Sequence, residues 1–203
     1  MSKPKLIYFD APVSRGEECR LALHLAGVDF EDVRVKRPEW AVLKPTMPFH
    51  AVPVLEMPGR PPLGQCNAIL VFIGRGHGLH PKDDFEAARH EALMQHVEDL
   101  RAHVTPTLRL ADETEKRRAR EQLATSYLPT WGECAEKQIG EGPFFGGAAL
   151  NVVDLKVFVT LRWFSGGALD HIPTTVLAPF PKLNKIHDSV RDHAGVKAWY
   201  AKH

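Results

Sequence analysis

The chain has 203 residues, with 44% apolar and 25% charged side chains and a formal net charge of +1. That balance suits one large domain or two small ones, and either can fold without metal or disulfide staples. A charge so near zero supplies no general field for nucleic acid or an anionic membrane, so neither is expected as a partner.

The 3 cysteines, Cys19, Cys66 and Cys134, are widely spaced and odd in number. They make neither a disulfide framework nor a zinc pattern and suit a reducing compartment. No signal-peptide core follows Met1-Ser2-Lys3-Pro4-Lys5, and no apolar run is long enough to span a membrane, so a cytoplasmic location is expected.

Leu6-Ile7-Tyr8-Phe9 reads as a short buried strand. Ser14, with Glu17 three residues on, reads as a capping box opening a helix. Leu21 and Leu25 give that helix its apolar stripe and Gly27 closes it. Phe30 to Val35 alternates like a half-exposed strand, and a short helix is expected over Trp40 to Lys44. Val52 to Met57 and Pro61 to Leu63 read as two strands around a Pro58-Gly59 turn. Helical spacing then runs from Gln65 to Ile73. The order βαβ–ββα implies a small mixed sheet with helices on its faces.

Arg75 to Pro81 reads as a linker, and beyond it the pattern is almost wholly helical. One helix is expected over 83–110 and another over 112–139. Lys116-Arg117-Arg118-Ala119-Arg120 lies among acids and reads as a solvated face. Leu155 to Phe164 is apolar on most sides, as at the centre of a bundle. The boundaries expected are 1–76 for an α/β domain, 77–82 for a linker and 83–203 for an all-helical domain. Of the 11 histidines, His77, His80, His96 and His103 have no ligand-like spacing, so all are read as surface residues and no metal is expected.

This order of elements, with Tyr8-Phe9, Glu17, Arg20, Trp40, Lys44, Val52-Pro53-Val54-Leu55, Gln65-Cys66-Asn67-Ala68-Ile69 and Val196-Lys197-Ala198-Trp199, resembles the cytosolic glutathione transferases. Within them it is most similar to the tyrosine-type sigma class. The resemblance implies a thioredoxin-like α/β domain followed by an all-α helical bundle, acting as a homodimer. It implies glutathione as co-substrate and a small hydrophobic electrophile, bound near the Tyr8 strand and Thr105 to Arg109. Tyr8 would be catalytic, donating its hydroxyl to the glutathione thiolate, with Arg15 in support. Phe9, Trp40, Lys44, Val52, a cis Pro53, Gln65, Cys66 and an acid, Glu98 or Asp99, would hold glutathione. Asn151 and Asp154 would cap the central helix.

The chain departs from the class in three places. Cys66 stands where a serine is usual, Ala51 where a lysine is common, and the loop Asp10 to Ser14 is one residue longer. Those losses leave open a binding or scaffold protein with little catalysis. A glutathione-dependent peroxidase or isomerase, or a thiol–disulfide reductase using Cys66 or Cys19, are further alternatives.

Overall fold

The computed structural model describes residues 3–202, which form two compact units. The first runs to Lys82 and takes back the chain from Asp192 on; the second is Asp83–Arg191. The last helix, expected with the helical domain, therefore packs in the first unit.

In the first unit, β1 (Lys5–Phe9), α1 (Ser14–Leu25) and β2 (Glu31–Val35) make the helical crossover that a parallel pair requires. After α2 (Arg37–Leu43), β3 (Val54–Glu56) runs antiparallel to β1, and β4 (Leu63–Gly64) pairs with β3. The sheet order is β2-β1-β3-β4, the thioredoxin-like arrangement expected. Alternation along β1 sends Ile7 to a cluster with Val35, Met47 and Val54, where Trp40 and Leu43 also pack. Leu6, Leu21, Leu55, Ile69 and Leu70 are wholly buried elsewhere in this unit. There α1 packs against α3 (Cys66–His77) and α9 (Ala194–Tyr200).

Three readings of this unit are corrected. Ser14 does not open a capping box: Val13 precedes the helix and no side chain caps it. Glu17 instead turns inward and accepts the Trp199 indole N–H at 2.8 Å. α3 continues through Arg75 and Gly76 to His77, because Gly78 in the left-handed region ends it. His80 is buried, since Gly74 has no side chain and admits its Cβ.

In the second unit, α4 (Asp84–Val104) packs against α6 (Leu128–Gln138) and α7 (Val152–Ser165). Pro106 turns the end of the expected first helix into a tighter 3-10 turn, Thr105–Arg109. The expected 112–139 helix is α5 (Glu113–Gln122) and α6, joined by a π-type segment, Leu123–Tyr127. Pro129 lies just inside α6. Its missing N–H and bulky ring disturb the ladder one turn earlier, where the wider segment sits. α8 (Pro181–Asp192) follows. Arg120 is not solvated as expected: it is buried, with Nε donating to Thr107 and Nη1 to the Asp170 carbonyl. His90 is buried against Phe145, and His96 stacks on Trp131, whose indole N–H donates to the His96 carbonyl at 2.9 Å.

α7 is buried along almost its whole length, as its composition requires. Its anchor is Asp154, fully buried, whose two oxygens accept the Asn151 N–H at 2.8 Å and the Phe145 N–H at 2.7 Å. Burial pushes the Asp154 carboxyl up to about 7 against the opposing pull of these backbone donors. A raised folded-state value means that its contribution to stability is full below the unfolded value near 4 and is lost as pH rises through about 7. Asp154→Ala strands both donors and should cost about 2–5 kcal/mol. Denaturant titrations from pH 5 to 8 should find the gap between wild type and Asp154→Ala narrowing as pH rises. A gap that widens would contradict the raised value.

Candidate active site

The first unit's candidate site lies at the C-terminal end of β1, where Arg20 governs the local backbone. Its guanidinium is fully buried and spends its donors on several partners. Nε donates to both Asp32 oxygens at 2.9 and 3.1 Å, Nη1 to the Ala11 carbonyl at 2.8 Å and Nη2 to the Phe9 carbonyl at 3.1 Å. Glu17 lies at 3.4 Å on the same group. A planar cation with a fixed fork of donors is suited to hold two loop carbonyls and a carboxylate at once. The loop between Tyr8 and α1 is thus clamped to β2.

That clamp presents Tyr8, which is 8% exposed. Burial drives its hydroxyl above the ordinary phenol range; a side-chain hydrogen bond with Ser14 and the Arg15 charge pull it back, while Cys66 and Glu18 add to the rise. The phenol therefore keeps its proton at neutral pH and stays a donor. Ser14, read from sequence as a cap, is Tyr8's partner instead, and it sits in the left-handed region at φ 61°. Arg15 is half-buried, its charge within electrostatic reach of the Tyr8 oxygen.

Gly16 is a site residue that sequence reasoning missed. A Cβ there would lie 2.0 Å from Tyr8 Cδ1, inside the ring's own contact distance. The only signal was a glycine in the first turn of a helix, where it costs about 1 kcal/mol relative to alanine and serves no cap. Glu18 was also missed: it is fully buried and accepts from the Cys66 thiol at 3.0 Å.

Several of the residues expected to hold glutathione lie in this unit near the end of β1. The Val52–Pro53 peptide is cis. Ile7 pairs with Val54, so continuing the register sets Tyr8 and Phe9 opposite Pro53 and Val52. Gln65 is exposed at φ 72° and Cys66, 3% exposed, starts α3, whose first-turn N–H groups carry the helix's positive end. The Phe9 ring meets Tyr8 edge-on at 5.5 Å and Trp40 at 5.3 Å, which fixes the indole beside the site. Lys44 and Ala51 are exposed. In the second unit Glu98 is held by buried Arg101 and Lys156, whereas Asp99 is exposed.

Residues 4–75 match the N-terminal domain of glutathione S-transferase, and 98–203 match its C-terminal domain. The chain belongs to the glutathione S-transferase family of enzymes. It is 31% identical to glutathione S-transferase 1 of Ascaris suum, over its whole length and 97% of that protein. It is 24% identical to S-crystallin 4 of Enteroctopus dofleini, across 93% of this chain and 91% of the other. The crystal structure of the glutathione S-transferase from Ascaris lumbricoides superposes with a TM-score of 0.87 at 32% identity, covering 98% of this chain and 97% of that one. The two-unit thioredoxin-like and helical architecture is that of this family.

Among the described residues Glu113, Asp170 and His171 form a grouping with the spacing of a metal site. Lys116 and Arg120 already neutralise the two acids, so it reads as an ion-pair network.

Gly16→Ala tests the positioning of Tyr8. Helix propensity alone favours alanine by about 1 kcal/mol. The collision should outweigh that and lower stability by about 1–3 kcal/mol in thermal or denaturant unfolding. A stabilised variant would mean that the Tyr8 ring has room to move.

Proposed function

We propose that this protein is a cytoplasmic, tyrosine-type glutathione transferase, sigma-like, that conjugates glutathione to small apolar electrophiles in detoxification. The observation that carries the reading is Tyr8: a buried phenol, protonated at neutral pH, beside the start of α3 and the cis Val52–Pro53 bond. The backbone at Val52 can pair with the cysteinyl part of glutathione like an added strand. Gln65, Cys66 and the α3 N–H groups can take its γ-glutamyl carboxylate. Trp40 and Lys44 can take the glycyl carboxylate, by an indole N–H and an ammonium.

The thiol of glutathione then lies against the Tyr8 hydroxyl. A thiol ordinarily titrates near 8.5, so lowering it by about two units needs about 2.7 kcal/mol of preferential anion stabilisation. One charge-assisted hydrogen bond contributes about 1.5–3 kcal/mol. Tyr8 alone supplies most of that, and Arg15 adds a favourable charge. The resulting thiolate attacks the electrophile directly; on a hydroperoxide or an isomerisable substrate the same thiolate would reduce or isomerise. Free cysteines throughout suit a reducing compartment.

For the amino group of glutathione we propose Asp99, reaching across a homodimer. Glu98 is engaged by Arg101 and Lys156, and Asp99 is not so held. Phe49, 75% exposed on a turn at φ 55°, supports an interface that covers it. Light scattering should give a dimer for wild type and a shift toward monomer for Phe49→Ser. A wild-type monomer would contradict the assembly.

A scaffold reading draws on Cys66 and Ala51, each a weaker contact than the family's usual residue. Tyr8→Phe discriminates the two. Followed by thiolate absorbance, the bound thiol should titrate about one to two units higher in Tyr8→Phe, and kcat/KM at pH 6.5 should fall about ten- to a hundredfold. An unchanged titration would make Tyr8 structural. Failure of glutathione to bind at all would favour the scaffold.

A further inference from the structure

Two of the three thiols meet inside the first unit. Cys19 of α1 is wholly buried, Cys66 of α3 is 3% exposed, and their sulfurs are 3.9 Å apart. The Cys66 thiol lies 3.0 Å from Glu18 Oε2 and 3.4 Å from the Arg15 carbonyl, either of which can accept its hydrogen. A disulfide needs about 2.05 Å, so adjustment of both side chains must close the remaining gap. The two helices already pack on one another, which keeps the pair together while that happens.

Glu18 offers a base for the Cys66 proton, Cys66 sits at the positive end of α3, and the Cys19 sulfur 3.9 Å away is placed to resolve a sulfenic acid formed on Cys66. We propose that Cys66 and Cys19 are a redox-active dithiol, closed to a disulfide by a small hydroperoxide such as hydrogen peroxide.

Glu18 removes the Cys66 proton, and the thiolate attacks a peroxide oxygen. An S–O bond forms, the O–O bond breaks, and the departing hydroxide takes the proton from Glu18 and leaves as water. Cys19 sulfur then attacks the Cys66 sulfenic acid. The S–S bond forms, the S–O bond breaks, and hydroxide leaves with the Cys19 proton as a second water. Two electrons pass from the sulfurs to the peroxide. The net change is two thiols and one hydrogen peroxide to one disulfide and two waters. A small dithiol reductant reverses it by thiol–disulfide exchange when local opening of the helices exposes the bond.

The size of the oxidant follows from burial. Both sulfurs are buried, which favours an oxidant as small as hydrogen peroxide over a bulky disulfide. The bond would also draw Cys66 toward α1 and shift the first turn of α3. That second consequence, weaker glutathione binding in the oxidised protein, rests on the function proposed above; the disulfide itself does not.

The experiment uses the full chain carrying Cys134→Ser, which removes the exposed thiol. The protein is treated with hydrogen peroxide, unfolded in alkylating agent, digested and weighed. The Cys19 and Cys66 peptides should be found joined, two hydrogen masses lighter than the separate thiol peptides, and dithiothreitol should restore both. Cys19→Ala should stop at a Cys66 sulfenic acid that dimedone traps. Glu18→Gln, if folded by circular dichroism, should slow cross-linking roughly a hundredfold, the lower end for loss of a general base. Both thiols alkylated after peroxide, or cross-linked only once the chain is unfolded, would overturn the dithiol. Calorimetric titration with glutathione separates the rest. Equal binding to reduced and oxidised protein would overturn the switch but not the dithiol. No binding to the reduced protein would overturn the proposed function and leave the disulfide standing.

Discussion

The first unit is organised by one buried cation. Arg20 joins β2 through Asp32 and the β1–α1 loop through the Phe9 and Ala11 carbonyls, with Glu17 alongside to meet Trp199 of α9. A buried charge is tolerable only when its donors are met, and breaking one such pair typically costs about 3–5 kcal/mol because the other charge stays buried. Tyr8 inherits its position from this network, since the loop that Arg20 holds leads from Tyr8 to Ser14 and Gly16. The guanidinium also lies 5.8 Å from the Tyr8 ring centre. The placement of Tyr8 is therefore set by a buried residue of α1.

α1 is unusual for its polarity. Glu17, Glu18 and Arg20 are all buried on it, and they do different things. Glu17 ties the helix to α9, Glu18 accepts from Cys66, and Arg20 clamps the loop. The exchange of hydroxyl for thiol at Cys66 fits the same picture. A thiol is a weaker donor than a hydroxyl, and here it meets Glu18 inside the unit.

The second unit solves its own burial problem with shared acids. Asp154 satisfies two backbone donors at the entry to α7. Glu98 faces both Arg101 and Lys156, two fully buried cations from α4 and α7, and Arg101 also donates to Thr160 at 2.9 Å. These pairings tie α4 to α7, and they draw Glu98 inward while leaving Asp99 outside.

Periodicity and punctuation in the sequence determined the element order, the mixed sheet, the central apolar helix and the change from α/β to all-α. Those are local properties: a two-residue or 3.6-residue repeat and the backbone limits of Gly and Pro act within a few residues. Motif context alone singled out the expected site residues Tyr8, Arg15, Phe9, Trp40, Lys44, Val52, Pro53, Gln65, Cys66 and Asp99. Tertiary structure alone decided the rest. Ser14 and Glu17 carry the letters of a capping box, yet α9 and Tyr8 offered them better partners. Pro106 and Pro129 reshaped helices whose apolar spacing ran on unbroken. Gly16, Glu18 and Cys19 gain meaning only from what lies across from them: a ring at β1, a thiol at α3. A sequence states which groups a chain owns; which of them meet depends on contacts between elements far apart along it.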